Sequence, residues 1–156
     1  LMKLFIKNKI NINIYINYMN KKLILVIIII ILLLSKNNSK EKFINARIAK
    51  TSQEIQKGLM YIKEPLPENE GMIFFLPYRN KHSFWMKNTY IPLDIIFIDK
   101  TEKKNNFKII GFNKNRKPLE EISMGIKTPS DYVLEMNGGW LDKNKIKKGD
   151  IIEINY

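Results

Sequence analysis

Short apolar stretches, separated by glycine, proline and charged residues, recur along the chain in the pattern expected of β-strands. "FINARIAK" alternates and predicts a first strand from Phe43 to Ala49. Further strands are predicted at "MIFFLP", "SFWM", "PLDIIFID", "FKIIGF", "YVLEM" and "IIEINY". We expect Pro77 to end the strand predicted at "MIFFLP", because proline lacks the N–H that a sheet requires. The residues from Asn113 to Asp131 are irregular and are interpreted as a long excursion.

Two short helices are expected between the strands. Thr51 precedes Glu54 by three residues, which is the spacing of a capping box, and Gly58 is suited to end that helix in a left-handed conformation. "GGWLDKNKIKKGD" predicts a second short helix and a tight turn. The prolines of "YIKEPLPENEG" indicate a surface loop.

The fold class follows from strands that are apolar on both faces, such as Met72 to Leu76 and Leu93 to Ile98. An open antiparallel sheet with one solvated face would alternate more regularly. Both faces must therefore be covered, by closure into a barrel or by helices and loops packed outside. We predict an α+β fold that is mainly β, with a compact, barrel-like antiparallel or mixed sheet and one or two short helices.

The first 35 residues differ from the rest of the chain. Leu23 to Leu34 form an unbroken aliphatic run of 12 residues after two lysines. A membrane-spanning helix needs about 20 residues, so the run fits a secretory signal better, with Met19 as a candidate true start. An uncleaved anchor is the alternative. We expect a signal or anchor at 1–35, a polar tether at 36–42, and one globular β-rich domain at 43–156, exported from the cytoplasm.

Charge and composition narrow the expected partners. Of the net charge of +12, five units come from lysines in residues 1–35, which leaves +7 for the remainder. This excess attracts polyanions, and in an exported protein an envelope polymer or a small molecule is expected rather than nucleic acid. Contact with the membrane is expected only through the N-terminal segment. With no cysteine and a single histidine, neither a metal site nor a cofactor is predicted, and the oligomeric state is not indicated.

Two acidic residues interrupt apolar strands. Pleating places Asp94 on the face of Ile96 and Ile98, and Glu135 on the face of Val133. A buried, unpaired carboxylate costs several kcal/mol, so each acid needs hydrogen-bond donors. For Asp94 the candidates are loop N–H groups and the side chains of Trp85, Lys87, Asn88 and Thr89. Asp94 either ties the "MKNTYIP" loop to the sheet or forms the polar floor of a cleft.

These residues suggest three functional hypotheses. The first is a binding or accessory module whose ligand contacts Trp85, Lys87, Asn88, Thr89 and Asp94. The second is a hydrolytic enzyme in which Asp94 works with His82 or Glu135 as an acid–base pair, the two carboxylates facing a common cavity. The third is an electrostatic attachment module for anionic envelope polymers. No residue has the sequence context of an established nucleophile, so whether the protein is an enzyme stays open.

"GLMYIKEPLPENEGMIFFLP", "SFWMKNTYIPLDIIFID", "YVLEMNGGW" and "IKKGDIIEI" resemble the family called domain of unknown function 192. The resemblance covers about Phe43 to Tyr156 and implies a small, barrel-like β domain, often behind an export signal, without an established activity. The recurring residues of the family correspond here to Gly58, Leu59, Met60, Gly71, Met72, Phe74, Trp85, Met86, Asn88, Thr89, Leu93, Asp94, Glu135 and Trp140. Many relatives carry a cysteine before the "YVLE" strand, where this chain has Ser123 to Gly125.

Overall fold

Strands dominate the part of the chain that the computed structural model describes, which comprises residue 18, residues 20–31 and residues 42–156. The strands are β1 (Lys42–Ala49), β2 (Glu70–Asn80), β3 (Ser83–Phe84), β4 (Leu93–Lys100), β5 (Asn106–Arg116), β6 (Met124–Gly125), β7 (Ser130–Asn137) and β8 (Ile151–Asn155). The helices are α1 (residues 20–31), α2 (Ser52–Lys57) and α3 (Trp140–Lys143).

Six of the strands close into a barrel in the order β1-β2-β7-β4-β5-β8. Strand β1 runs parallel to both of its neighbours, β2 and β8, and the other four pairings are antiparallel. Strands β3 and β6 form a separate two-stranded ribbon. The predicted mainly β fold with a barrel-like mixed sheet is therefore confirmed.

Two hydrophobic cores cover the two faces of the barrel sheet. The inner core takes residues from all six barrel strands, and α3 adds Trp140 and Leu141 to it. The outer core packs the opposite faces of β2, β4 and β7 against loop residues that include Leu59, Leu66 and Met86. Closure and loop packing thus act together, which explains why the strands are apolar on both faces.

Three predicted strand boundaries are wrong. Strand β2 continues past Pro77 to Asn80, because its pairing with β7 is interrupted between Phe75 and Asn80, where a residue without an N–H is tolerated. Strand β3 ends at Phe84, and the next residues turn, with Asn88 at a φ of 55°. Strand β5 extends to Arg116, beyond the predicted start of the irregular excursion.

The chain divides into two units, Leu1–Lys40 and Glu41–Tyr156. In the first unit, α1 exposes its aliphatic side chains from Leu23 to Ile31. Among the described helices, none combines the length and the hydropathy that crossing a membrane requires. Met19 and most of the predicted tether at 36–42 lie outside the described residues.

Candidate functional site

Asp94 is fully buried and its carboxylate is held by backbone N–H groups. Its Oδ1 accepts hydrogen bonds from the backbone nitrogens of Asn115 at 2.7 Å and Gly139 at 3.2 Å. Its Oδ2 accepts one from Leu141 at 2.7 Å. The prediction that local donors hold this acid, either side chains of residues 85–89 or N–H groups of their loop, is wrong, and so is the prediction that Asp94 ties that loop to the sheet, because all three donors are backbone N–H groups of distant segments. Asp94 joins the end of β5 to the start of α3.

The pair Gly138 and Gly139 brings these donors within reach of Asp94. Gly139 adopts a φ of 83°, in the left-handed region that favours glycine. A Cβ at Gly138 would lie 2.5 Å from the Asn115 Oδ1 atom and 2.8 Å from the Pro92 Cβ atom. Because neither glycine has a side chain, the chain can pass close to Pro92 and present its N–H groups to the carboxylate.

Asp94 and Glu135 project from opposite faces of the sheet. In the register of β4 with β7, Asp94 lies opposite Met136, and Glu135 lies opposite Ile95. Directly opposed residues share a face, so Asp94 points to the inner core and Glu135 to the outer core. The hypothesis that the two carboxylates face a common cavity as an acid–base pair is therefore wrong.

His82 is bound elsewhere. Its Nε2 atom lies 2.9 Å from the Tyr78 carbonyl oxygen, and its ring packs beside the Tyr78 ring. Within residues 42–156, it has no hydrogen bond to either Asp94 or Glu135. The predicted pairing of His82 with Asp94 is therefore wrong, because His82 contacts Tyr78 and the Asp94 oxygens accept from three backbone donors.

Glu135 has the same chemistry as Asp94 but lacks its partners. The residue is 5% exposed, and its Oε2 atom is buried without a hydrogen-bond partner among the described residues. Burial raises the pKa of Glu135 to about 8, because desolvation disfavours the charged carboxylate. The side chain lines a small pocket of about 30 Å³, together with Gly58, Phe74, Phe84 and Thr89.

A larger cleft adjoins this pocket and shares residues with it. The cleft has a volume of about 370 Å³ and lies between α2 with its following turn and the segment after β3. Its walls carry two lysines, three amide side chains, two aromatic rings and a methionine: Lys57, Lys87, Gln53, Gln56, Asn88, Tyr61, Trp85 and Met60. The small pocket shares Gln56, Lys57, Met60, Trp85 and Lys87 with this cleft.

The two walls of the cleft are joined by a reciprocal pair of hydrogen bonds. The Tyr61 N–H donates to the Asn88 carbonyl oxygen at 2.7 Å, and the Asn88 Nδ2 donates to the Tyr61 hydroxyl at 3.1 Å. Both residues have positive φ angles, 67° and 55°. Such conformations are costly away from glycine and concentrate at binding and active sites. The two hydrogen bonds thus connect the turn after α2 to the segment after β3.

The structure brings four of the five predicted ligand contacts together. Trp85 is 44% exposed, and the Lys87 Nζ atom lies 5.3 Å from the centre of its indole ring. Thr89 is buried in the small pocket, where its hydroxyl donates to the Lys87 carbonyl oxygen at 3.3 Å. Asp94 lines neither cavity. Whether the four residues bind a ligand stays a prediction.

Sequence reasoning missed the opposite wall of the cleft. Gln53, Gln56 and Lys57 lie on the predicted α2, but nothing in their local pattern places that helix beside Trp85. The signal that could have found this wall is the recurrence of Gly58, Leu59 and Met60 in the family that the chain resembles. Among the described residues, no group of histidine and acidic side chains could hold a metal ion.

Comparisons with known proteins extend the resemblance found in the sequence. The sequence model of domain of unknown function 192, described as "Uncharacterized ACR", matches residues 33–154. A search of curated proteins gives no match. A crystal structure of a protein of unknown function from Novosphingobium aromaticivorans is similar, with 37% identity, a TM-score of 0.59, and coverage of 68% of this chain and 72% of that one.

A second similar crystal structure comes from Sinorhizobium meliloti, where the protein is described as a candidate transcription regulator. It has 30% identity and a TM-score of 0.61, and the match covers 69% of this chain and 80% of the other. Both structures share the fold, and neither description supplies a ligand.

Proposed function

The chain belongs to the family called domain of unknown function 192, for which no activity is established, and we propose that it binds a small organic anion in the cleft between α2 and Trp85–Thr89. The composition of the cleft wall carries this proposal. Two lysines, three amides and two aromatic rings line the cleft, and no acidic side chain does so among the described residues. An apolar wall with a few fixed polar groups is the usual construction of a small-molecule site.

The two lysines favour a negatively charged ligand. Lys57 and Lys87 come from opposite walls, so their ammonium groups flank whatever lies between them. Trp85 and Met60 offer apolar surface, and Gln53, Gln56 and Asn88 offer amide donors and acceptors. A ligand with one oxyanion and a flat apolar body would match these groups, and a cation of the same shape would be repelled.

The experiment uses three probes of nearly equal shape and different charge: benzoate, benzamide and benzamidinium. The chain has two tryptophans, so fluorotryptophan labelling of the full chain, kept in solution with a nonionic detergent, gives two fluorine NMR signals. Trp85 lies on the cleft wall, whereas Trp140 is buried and its indole N–H donates to Asn69 Oδ1 at 3.1 Å. Benzoate should shift the Trp85 signal and leave the Trp140 signal unchanged.

We expect benzoate to bind about tenfold more tightly than benzamidinium, with benzamide between them. K57M and K87M should each reduce this preference. K143M is the matched control, because Lys143 is a surface lysine paired with Glu68 and does not line the cleft. Equal binding of benzoate and benzamidinium, or a Trp85 signal that no probe moves, would contradict the proposal.

We also propose that the domain acts outside the cytoplasm. The apolar run from Leu23 to Leu34 that follows Lys21 and Lys22 supports this location. Fractionation of cells that produce the full chain should find the protein outside the cytoplasm, and sequencing of its N-terminus would distinguish a cleaved signal from a retained anchor. Recovery in the cytoplasmic fraction alone would refute export.

A further inference from the structure

The small pocket beside the cleft contains a polar atom that the protein itself does not satisfy. The Oε2 atom of Glu135 is buried and has no hydrogen-bond partner among the described residues. Buried polar atoms are nearly always paired in native structures, and an exception marks a place where a ligand or a water completes the pairing. With about 30 Å³, the pocket has room for a group the size of one or two water molecules.

Gly58 packs beside this buried carboxyl group without filling the small pocket. A Cβ at this position would lie 3.6 Å from the Glu135 Oε2 atom and 3.2 Å from the Phe74 Cζ atom. The φ of 45° at Gly58 is also one that other residues rarely adopt. The absence of a side chain at residue 58 therefore leaves the small pocket, rather than a Cβ, beside the buried Oε2 atom.

The groups around Glu135 are apolar, cationic or neutral polar, and among the described residues no second acidic side chain lines its pocket. In the neighbouring strands Met72 and Ile95 lie opposite it, and Phe74 and Phe84 line the pocket. The charged groups that line the pocket are Lys57 from α2 and Lys87 from the segment after β3. Arg47 and Glu54 line a neighbouring cavity that shares the turn at Gly58, and the Glu54 carboxylate caps α2.

We propose that Glu135 presents a neutral carboxylic acid that donates a hydrogen bond to one oxygen of the organic anion, so that protonation of this side chain strengthens anion binding. This inference rests on the proposed function of the cleft. The second oxygen of the anion faces Lys57 and Lys87, which line both cavities. Burial among aromatic rings without a partner favours the uncharged form of a carboxyl group, which is the form that can donate.

The protonation state of Glu135 determines how the affinity for the anion changes with pH. Burial raises the pKa of Glu135 to about 8. Below this pH the side chain is protonated and can donate to an anion. Above it the ionised carboxylate repels the anion, so the affinity should fall about tenfold for each pH unit. A ligand that placed an ammonium group against Glu135 would show the opposite trend, because its affinity would rise as pH approaches 8.

The experiment measures benzoate binding to the full chain between about pH 6 and pH 9.5, using the fluorine signal of Trp85. Wild type should bind with constant affinity well below pH 8 and about tenfold more weakly per unit above it. E135Q should bind about fivefold more weakly than wild type at pH 7, because an amide is a weaker donor, and its pH profile should be flat. E135L should bind about tenfold more weakly at every pH below 8.

A second measurement keeps the inference testable if E135L does not fold. Carbon NMR of the Glu135 carboxyl group in the wild-type protein should show its pKa rising further when benzoate saturates the cleft. Benzoate binding with a flat wild-type profile would overturn the role of Glu135 and leave the cleft proposal standing. Absence of benzoate binding at every pH would overturn both.

Discussion

Asp94 and Glu135 lie on adjacent strands and are both buried, yet their surroundings differ completely. Asp94 points into the barrel, where three backbone N–H groups bind its two oxygens. Glu135 points to the outer face, where its Oε2 atom has no partner in the described part of the chain. The fold supplies hydrogen-bond donors to both oxygens of Asp94 but supplies none to the Oε2 atom of Glu135 among the described residues.

The difference shows how a buried carboxyl group can be assigned to structure or to function. The three hydrogen bonds of the Asp94 carboxylate are charge-assisted, and together they join β5 to α3. The unpaired oxygen of Glu135 lowers the stability of the fold. A protein retains such a destabilising group most readily where another of its properties, such as ligand binding, benefits. Acidic residues in the same apolar context thus have two different environments, and their hydrogen-bond partners distinguish them.

The largest effect is expected from removing the Asp94 carboxylate. D94A leaves three backbone N–H groups without their acceptor, of which that of Leu141 is buried and the other two are part-buried, so we expect the free energy of unfolding to fall by about 4 kcal/mol. Urea denaturation measured by circular dichroism provides the check. D94N should fall between D94A and wild type, because its amide oxygen can accept from Asn115 and Gly139 while its NH₂ group opposes the Leu141 N–H. A loss below about 1 kcal/mol for D94A would remove the contrast with Glu135.

A smaller and pH-dependent effect is expected from Glu135. The pKa of Glu135 is raised from 4.5 to about 8 by burial, so the folded state holds this proton more tightly than the unfolded state does. The stabilisation from the protonated form is complete below about pH 4.5 and is lost as pH rises towards 8. Relative to E135Q, which cannot titrate, wild type should lose about 3 kcal/mol of unfolding free energy between pH 5 and pH 8.

The comparison with E135Q removes the contribution of every other titrating group, because both proteins share them. Denaturation curves at several pH values give the difference directly. Parallel pH profiles for wild type and E135Q would mean that Glu135 finds a partner or ionises freely in solution, and it would then no longer differ from Asp94.

The smallest effect is expected at the pair of hydrogen bonds between Tyr61 and Asn88. N88A removes the hydrogen bond to the Tyr61 hydroxyl and places alanine at a φ of 55°, and we expect a loss of about 1–2 kcal/mol. N88G is the matched control, because glycine adopts this φ without strain and should lose less. Thermal unfolding measures both. Equal losses would assign the cost to the missing hydrogen bond alone.

Local pattern was sufficient to predict several elements. The capping box of Thr51 and Glu54 forms as expected, with the Thr51 side chain accepting from the Glu54 N–H and the Glu54 carboxylate accepting from the Thr51 N–H. The placement of Asp94 and Glu135 with their respective neighbours in the pleat is also confirmed. These features depend only on residues a few positions apart, where period and capping chemistry determine the outcome.

Features that depend on distant segments could not be predicted in this way. The donors of Asp94 come from residues 21 to 47 positions away, and the cleft forms because Tyr61 meets Asn88. Whether Asp94 and Glu135 share a cavity was decided by the register of β4 with β7, which no single strand encodes. Strand β6, and with it the β3–β6 pairing, was missed because β6 has two residues, too few to show a period.

The parallel pairing of β1 with both β2 and β8 sets the order in which the domain can be completed. Asn45 in β1 pairs with Glu70 in β2 on one side and with Asn155 in β8 on the other. The β1–β8 pairing that closes the barrel therefore joins segments about a hundred residues apart. A ribosome that has released only the first seven strands has produced a sheet with two unprotected edges. Completion therefore waits for residues 151–155, which pair with β1 on one side and β5 on the other and so cover both edges.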